Sequence, residues 1–309
     1  MLTSLLFFTS ITLCPDLVGH RADHAIADED DGHIVAAGKK IKEKNPKQKP
    51  AGTHQLLPAE MKCSLLNLDF GTDAFDDQYR GCSEILREEI MPKVLTMEKA
   101  LNPVFGSAWE QAESQWKRMK PTFRLPVGFR DEFGTAIRVY TTDWPTGNPV
   151  YKMFNGNVSV GGRSRDHYMQ RFHFKALHFY LTRALQILKK NSKRKHQAYR
   201  GTDHSHEVSE APLRFGRFTS TSLNVEVAKE YGSGLLLEIT TCFGVDIHRI
   251  SFFPEEREVL VPVAEKFRYV GRKGNVYVIN STCELCSYFN CAYLGGEKQE
   301  APECSSSAV

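Results

Sequence analysis

The spacing of hydrophobic positions changes along the chain, from a helical period to a strand-like one. Up to residue 190, apolar residues recur every three to four positions, as on the buried face of an amphipathic helix. This pattern predicts helices within residues 73–101, 105–119 and 163–190. Residues 121–128 are predicted as a connector, and residues 136–142 fit neither period.

From His196 onward, short apolar runs typical of β-strands replace the helical pattern. Strands are predicted at residues 197–200, 215–220, 235–241, 245–250, 258–263, 267–271 and 276–279, with one short helix at residues 224–231. Helices first and strands afterwards is the order of an α+β fold rather than of alternating βαβ units. The sequence has no glycine-rich loop of the Rossmann or P-loop kind, which excludes those nucleotide sites.

The segments outside residues 73–298, the predicted catalytic domain, have a different composition. Residues 1–19 are predicted as a signal peptide, because their apolar run is too short to span a bilayer; a short hydrophobic tail is the alternative. Residues 20–72 contain an acidic run and a lysine-rich run, and are predicted as a disordered linker or propeptide, with a basic binding tail as the alternative. Residues 299–309 are predicted as a flexible tail without the hydrophobic stretch of a GPI signal. We therefore expect a secreted, soluble monomer with no stable membrane anchor.

Charge and cysteine content narrow the classes of protein further. The formal net charge is only +3, so nothing in the composition calls for a nucleic-acid partner. The chain has eight cysteines, and the pair Cys283-x-x-Cys286 lacks the second pair or the histidine of a zinc site. Disulfides in an oxidising compartment are the better interpretation. The sequons at Asn157 and Asn280 point the same way and predict a glycoprotein.

Two glutamates stand at the start of the predicted strand 258–263. If the strand extends back through them, Glu256 and Glu258 lie on one face while Arg257 points away. Two carboxylates on one face can hold a cation or stabilise a developing positive charge. A solvated strand edge is the commoner meaning of this spacing, but the apolar strand that follows favours a site.

Three short stretches follow one another in the second half of the chain. Tyr199-Arg200-Gly201 ends one predicted strand, Phe218-Thr219-Ser220-Thr221-Ser222 ends another, and Glu256-Arg257-Glu258 begins a later one. This order of Arg, Ser and Glu-x-Glu resembles the signature of the vertebrate arginine-specific ecto-mono-ADP-ribosyltransferases. Further similar stretches are residues 75–82, 174–180, 240–244 and 289–296. The resemblance covers roughly residues 73–298 and is strongest to the secreted branch without a GPI anchor.

The resemblance implies an N-terminal helical region followed by a two-sheet β core of the ADP-ribosyltransferase type, NAD as co-substrate, no metal, and protein arginines as acceptors. The implied catalytic residues are Arg200, Ser220, Glu256 and Glu258. Glu258 would stabilise the oxocarbenium character of the ribose. Glu256 would hold and deprotonate the incoming guanidinium. Ser220 would orient Glu258, and Arg200 would bind phosphate or ribose oxygens.

The resemblance also implies a set of residues in contact with NAD. They are Tyr140, Arg200, Gly201, Arg217, Ser220, Tyr231 and Ser251. Gly201 would leave its backbone free for the nicotinamide amide, and Tyr231 would pack on the nicotinamide ring. Phe252 and Phe253 would lie on the loop that presents the protein substrate. Taken singly, Arg200, Ser220 and Tyr231 could equally be a surface arginine, a turn serine and a core tyrosine.

The chain departs from the family pattern at several positions. The family's cysteine before the Tyr-Arg-Gly strand is missing, since residues 189–197 contain none. Cys242 therefore lacks its usual partner, and we expect it to be free or paired in another way, for example with Cys63. The other family bridge is retained as Cys82–Cys291. Position 217 is arginine where glutamine is common in related chains, and the insertion at residues 20–60 is not typical.

The leading functional hypothesis is mono-ADP-ribosylation of protein arginines. The same residues would also support NAD glycohydrolysis, in which water replaces the arginine. An inactive, secreted NAD-binding or interaction glycoprotein is the third hypothesis. The presence of Arg200, Ser220 and both glutamates argues against it.

Overall fold

The computed structural model describes residues 70–190, 192, 194–202, 211–232 and 234–306. The predicted signal peptide, residues 20–69 of the predicted linker, Cys14 and Cys63 lie outside the described residues.

Seven of the eight α-helices precede the first strand in the described part of the chain, as the hydrophobic pattern predicts. The eight helices are α1 (Ser83–Ile85), α2 (Met91–Leu101), α3 (Pro103–Met119), α4 (Asp131–Thr141), α5 (Val150–Gly161), α6 (Arg165–Arg171), α7 (Lys175–Lys190) and, after the first strands, α8 (Val225–Glu230). A π-helical turn, Leu86–Ile90, joins α1 to α2. Short 3-10 turns lie at Lys120–Thr122, Pro254–Glu256 and Ala292–Leu294.

Helix ends follow local capping chemistry. The Asn102 side chain accepts a hydrogen bond from the Phe105 N–H at 3.1 Å, and Pro103 starts α3. The predicted helix over 163–190 is in fact two helices, α6 and α7, because the chain is extended at Phe172. The buried Glu98 carboxylate accepts from the backbone N–H groups of Lys175 and Ala176, and so caps the start of α7.

The helical prediction for residues 73–82 is wrong. Asp76 accepts hydrogen bonds from the backbone N–H groups of Tyr288 and Phe289, and Asp77 from those of Cys291 and Ala292. Side chains that bond to a distant backbone in this way hold the segment in a non-helical course. Two elements were not identified from the pattern: α4 covers the ambiguous residues 136–141, and α5 was not predicted at all.

The strands are β1 (His196–Thr202), β2 (Thr219–Ser222), β3 (Leu235–Thr241), β4 (Val245–Asp246), β5 (Glu258–Val261), β6 (Glu265–Lys273), β7 (Val276–Ser287) and β8 (Glu303–Ser305). Their order in the sheet is β4-β5-β2-β1-β3-β7-β6, with β8 added on β7. The pairing of β3 with β7 is parallel, and the other pairings are antiparallel.

The α+β class is confirmed, but the β core forms one hydrogen-bonded path instead of the expected two sheets. The reason is that β1 pairs with both β2 and β3. The two junctions are very unequal. Seven residues of β1 are in register with β3, whereas only Tyr199 is in register with β2, opposite Ser222. The sheet therefore splays apart between β1 and β2, which opens space for a site.

Three disulfides join described cysteines. Cys82–Cys291 confirms the expected bridge. Cys242 pairs with Cys283 and not with Cys63. The parallel register of β3 with β7 sets Thr240 opposite Asn280, so Cys242, just past the end of β3, comes beside Cys283 within β7, with 5.3 Å between the two Cα atoms. Cys286–Cys304 fastens β8 to β7, so the predicted flexible tail of residues 299–309 contains an ordered strand.

No helix within the described ranges is both long and apolar enough to cross a bilayer.

Candidate active site

A cavity of about 500 Å³ lies where β1 and β2 splay apart. Its walls come from β1, β2, α4, α5, α8 and the turn that precedes β5. The predicted site residues that line it are Tyr140, Arg200, Gly201, Arg217, Ser220, Tyr231, Glu256 and Glu258. Ser251 is the remaining predicted residue, and it is buried beside Glu258. The structure therefore brings the sequence-predicted residues together.

Glu258 is the first residue of β5 and is almost fully buried, with 4% of its surface exposed. Its backbone pairs with Ser222 of β2, and Ser251 Oγ donates a hydrogen bond to Oε2 at 3.3 Å. Burial raises the pKa of Glu258 to about 7, and hydrogen bonds from Ser220 and Ser251 oppose that rise. The carboxyl group is thus fixed in place and close to the point of ionisation at neutral pH.

Glu256 is held quite differently, and the prediction of a continuous strand through it is wrong. It ends the 3-10 turn Pro254–Glu256, and Arg257 follows in the left-handed region with φ of 50°. The left-handed residue reverses the local course of the chain, so that Glu256 and Glu258 reach one cavity without sharing a strand face. Tyr231 Oη donates a hydrogen bond to Glu256 Oε1. Partial burial raises the pKa of Glu256, and nearby Asp143, Glu255 and Glu230 raise it further.

Two guanidinium groups line the same cavity. Arg200 of β1 donates from Nη1 to the Ser220 carbonyl at 2.7 Å. Arg217 lies just before β2, and its buried Nε has no hydrogen-bond partner among the described residues. Within the part of the chain that the structure describes, neither arginine forms an ion pair with a carboxylate. Burial and the neighbouring Arg200 lower the pKa of Arg217.

Gly201 has a packing reason to be glycine. A Cβ added at this position would lie 2.2 Å from the Ala228 carbonyl oxygen and 2.4 Å from that of Gly232. These are backbone atoms at the end of α8, so they cannot move aside as a flexible side chain could. The absence of a side chain lets β1 approach α8 closely and places Arg200 in the cavity wall.

The helical side of the cavity contributes residues that sequence reasoning missed. Asn155 of α5 donates from Nδ2 to Tyr140 Oη and to the Phe218 carbonyl, each at 3.1 Å. Tyr140 Oη in turn donates to the Phe218 carbonyl at 3.0 Å. Helix α5 could have been detected from Val150, Phe154 and Val158, which recur at helical spacing and are fully buried.

Arg138 of α4, also missed, fixes the loop that leads to the glutamates. Its Nη1 donates to the carbonyls of Ile250 and Ser251 at 3.1 and 3.2 Å, and its guanidinium lies 5.1 Å from the ring centroid of Phe252. Phe253 lines the cavity, whereas Phe252 packs on Arg138 and is 37% exposed. Ser251, which bonds Glu258, is thereby positioned from the helical layer.

The described residues contain no group of three or more histidine, cysteine, aspartate or glutamate side chains arranged to hold a metal ion.

Comparison with known proteins identifies the class to which this site belongs. The structure resembles the crystal structure of the eucaryotic mono-ADP-ribosyltransferase ART2.2, with a TM-score of 0.65, 36% identity, and coverage of 74% of this chain and 100% of that one. A mutant of ART2.2 in complex with NADH gives a TM-score of 0.66 over the same coverage. The fold is that of an ADP-ribosyltransferase.

The particular family follows from sequence. The family model for NAD:arginine ADP-ribosyltransferase matches residues 68–284, and the chain belongs to this family. Ecto-ADP-ribosyltransferase 5 of Rattus norvegicus is 40% identical over 246 residues, which are 76% of this chain and 79% of that protein. GPI-linked NAD(P)(+)--arginine ADP-ribosyltransferase 1 of Homo sapiens is 34% identical over 274 residues, 82% of each chain. The predicted arginine-specific ecto-enzyme family is confirmed, and membership of the secreted branch stays a prediction.

Proposed function

We propose that this cavity binds NAD and transfers its ADP-ribose to the guanidinium of an arginine in an acceptor protein. The observation that carries the proposal is the arrangement of charge, since three carboxylates and three cationic groups line one cavity: Asp143, Glu256, Glu258, Lys152, Arg200 and Arg217. NAD has complementary chemistry, since it joins an anionic diphosphate to a cationic nicotinamide riboside. The family activity of NAD:arginine ADP-ribosyl transfer supports the proposal.

Glu258 would act on the bond that breaks. The bond joins C1 of the nicotinamide ribose to the pyridinium nitrogen, and its electron pair leaves with nicotinamide, which becomes neutral. Positive charge then develops on the ribose, as it does in glycoside hydrolysis. An ionised carboxylate in a buried wall stabilises this charge strongly, because little water screens it there. Ser220 and Ser251 would keep the Glu258 carboxylate aimed at the ribose.

Glu256 would act on the bond that forms. A protonated guanidinium is a poor nucleophile, so the acceptor arginine must lose a proton as its nitrogen attacks C1. Glu256 is more accessible than Glu258, and its raised pKa suits a group that accepts that proton. The overall step breaks one C–N bond, forms another and transfers one proton to the carboxylate. Tyr231, bonded to Glu256 and 58% exposed, would present its ring to the nicotinamide.

Hydrolysis of NAD is the second candidate, because the bond-breaking half of the site does not involve the acceptor. A water molecule that reaches Glu256 in place of arginine would give free ADP-ribose. The decisive experiment incubates the purified protein with NAD labelled in its adenosine half and with agmatine, a small guanidine. Label on agmatine supports transfer, and free labelled ADP-ribose alone supports hydrolysis. Absence of both products under conditions in which the protein is folded would contradict the proposal.

The proposed setting of the enzyme is extracellular. Three disulfides in the described residues support an oxidising compartment, and the relatives named above include ecto-enzymes. Residues 73–298 are the proposed catalytic domain, preceded by a signal peptide and a linker. We further propose that the enzyme acts as a monomer on protein arginines. Expression in animal cells tests release, since a secreted product accumulates in the medium and an anchored one stays on the cell.

A further inference from the structure

Arg214 and Arg217 stand three residues apart but have opposite surroundings. The guanidinium of Arg214 is fully buried and paired, with Nη1 donating to Asp76 Oδ2 at 2.5 Å and Nε to the Phe70 carbonyl at 2.8 Å. Arg217 has a buried Nε without a partner among the described residues, and its side chain lines the cavity beside Arg200. The first arginine therefore holds the fold together. The second adds a guanidinium group to the cavity wall beside Arg200, and it has no carboxylate partner among the described residues.

Such an arrangement is costly in the free protein. The like charge of Arg200 opposes that of Arg217, and no carboxylate among the described residues pairs with either group. This repulsion is relieved when an anion with several acceptor oxygens lies between the two guanidinium groups. A diphosphate is such an anion, and planar guanidinium groups bind phosphate oxygens in pairs.

We propose that Arg217 is a specificity-determining residue, which together with Arg200 binds the diphosphate of the nucleotide. This inference rests on the proposed function and extends it. Recognition then depends on the diphosphate rather than on nicotinamide, so ADP-ribose binds the same site. Free ADP-ribose, the product of hydrolysis, competes with NAD.

The test measures binding by calorimetry to the wild-type chain and to Arg217→Gln, with ADP-ribose and adenosine as ligands. ADP-ribose carries the diphosphate and is not consumed, whereas adenosine has no phosphate. We expect Arg217→Gln to lower the affinity for ADP-ribose about ten- to hundredfold, the range for one hydrogen-bonded charge, and to leave the affinity for adenosine unchanged. Arg217→Lys keeps the charge without the planar guanidinium group, so its affinity for ADP-ribose should lie between those of wild type and Arg217→Gln. Arg268→Gln removes one charge from the exposed face of β6 and should match wild type.

Thermal unfolding separates a binding role from a structural one. Without ligand, Arg217→Gln should unfold at the same temperature as wild type or a higher one, because an unsatisfied half-buried charge is gone. With saturating ADP-ribose, its stabilisation should be smaller than that of wild type. In steady-state kinetics, KM for NAD should rise by a similar factor while kcat changes little.

Three results would overturn the inference. The first is an unchanged affinity of Arg217→Gln for ADP-ribose. The second is an equal loss of affinity for ADP-ribose and for adenosine. The third is that Arg217→Gln without ligand unfolds at a lower temperature than wild type. Failure of the proposed function has a different signature. In that case wild type produces neither labelled agmatine nor labelled ADP-ribose from NAD, whatever Arg217→Gln does to the affinity for ADP-ribose.

Discussion

Glu256 and Glu258 are two residues apart, yet they belong to two different kinds of structure. Glu258 begins a strand whose four residues are all buried, and two serines bond to its carboxylate. Glu256 ends a short turn whose other residues, Pro254 and Glu255, are exposed, and its side-chain partner is the exposed Tyr231. One carboxylate is thus enclosed by the sheet, and the other is only partly buried on a turn.

The difference suggests how one site can serve two steps. Stabilising an oxocarbenium requires a charge held rigidly in a region of low dielectric, which is what a buried strand provides. Accepting a proton from a protein side chain requires a group that a second macromolecule can reach, which a surface turn provides. If the two glutamates divide the reaction in this way, their substitution should affect transfer and hydrolysis differently.

The largest effect is expected for Glu258→Gln, which keeps the shape of the side chain and removes its charge. NAD hydrolysis and transfer to agmatine should both fall by about a hundredfold or more, since deleting one electrostatic contact to a charged transition state costs at least ~2.7 kcal/mol. Rates of both products, measured on protein with an unaltered unfolding transition, check this. If either activity survives intact, Glu258 is not the group that stabilises the ribose.

The next effect is selective. Glu256→Gln should lower transfer to agmatine about a hundredfold while NAD hydrolysis changes by a small factor, because the charge that faces the ribose remains. Glu255→Gln is the matched control, as Glu255 is an exposed carboxylate on the same turn. Its transfer rate should stay close to that of wild type. Equal losses of transfer and hydrolysis in Glu256→Gln would contradict the division between the two glutamates.

These two variants also show how far the sequence could predict the site. The motif predicted that both glutamates share a site with Arg200 and Ser220, and in the structure all four side chains line one cavity. The geometric reason was incorrect, because Pro254 starts a turn and Arg257 takes a left-handed conformation. Spacing of i and i+2 indicates a shared face only where the chain is a strand, and the hydrophobic pattern does not reveal where the strand begins.

Contacts between distant segments were harder to predict than elements. The Cys242–Cys283 bridge depends on the parallel pairing of β3 with β7, and pairing partners cannot be read from the composition of either strand. Arg138 bonds to carbonyls more than a hundred residues away, so its helical sequence context gives no hint of that role. The helical misassignment of residues 73–82 has the same origin, since Asp76 and Asp77 bond to the chain around residue 290.

A smaller effect is expected from pH. Burial raises the pKa of Glu258 to about 7, and its active form is the ionised one. The fraction ionised therefore increases as pH rises, and kcat/KM for NAD hydrolysis should increase about tenfold between pH 6 and pH 8 and then level off. An ordinary surface glutamate would be ionised throughout this range and would give a flat profile. A flat profile from pH 5 upward would show that Glu258 is ionised more easily than its burial implies.

The smallest effect concerns the residue between the two glutamates. Arg257 is in the left-handed region, where glycine is unstrained and a β-branched residue is strongly disfavoured. Arg257→Gly should therefore keep transfer within about twofold of wild type and change the free energy of unfolding by less than about 1 kcal/mol. Arg257→Val should shift the turn, and lower transfer severalfold more than hydrolysis, because Glu256 is displaced while Glu258 stays in its strand. Arg257→Ala controls for loss of the guanidinium itself. If the glycine and valine variants behave alike, the left-handed conformation does not determine where Glu256 points, and another contact, such as that with Tyr231, must hold it.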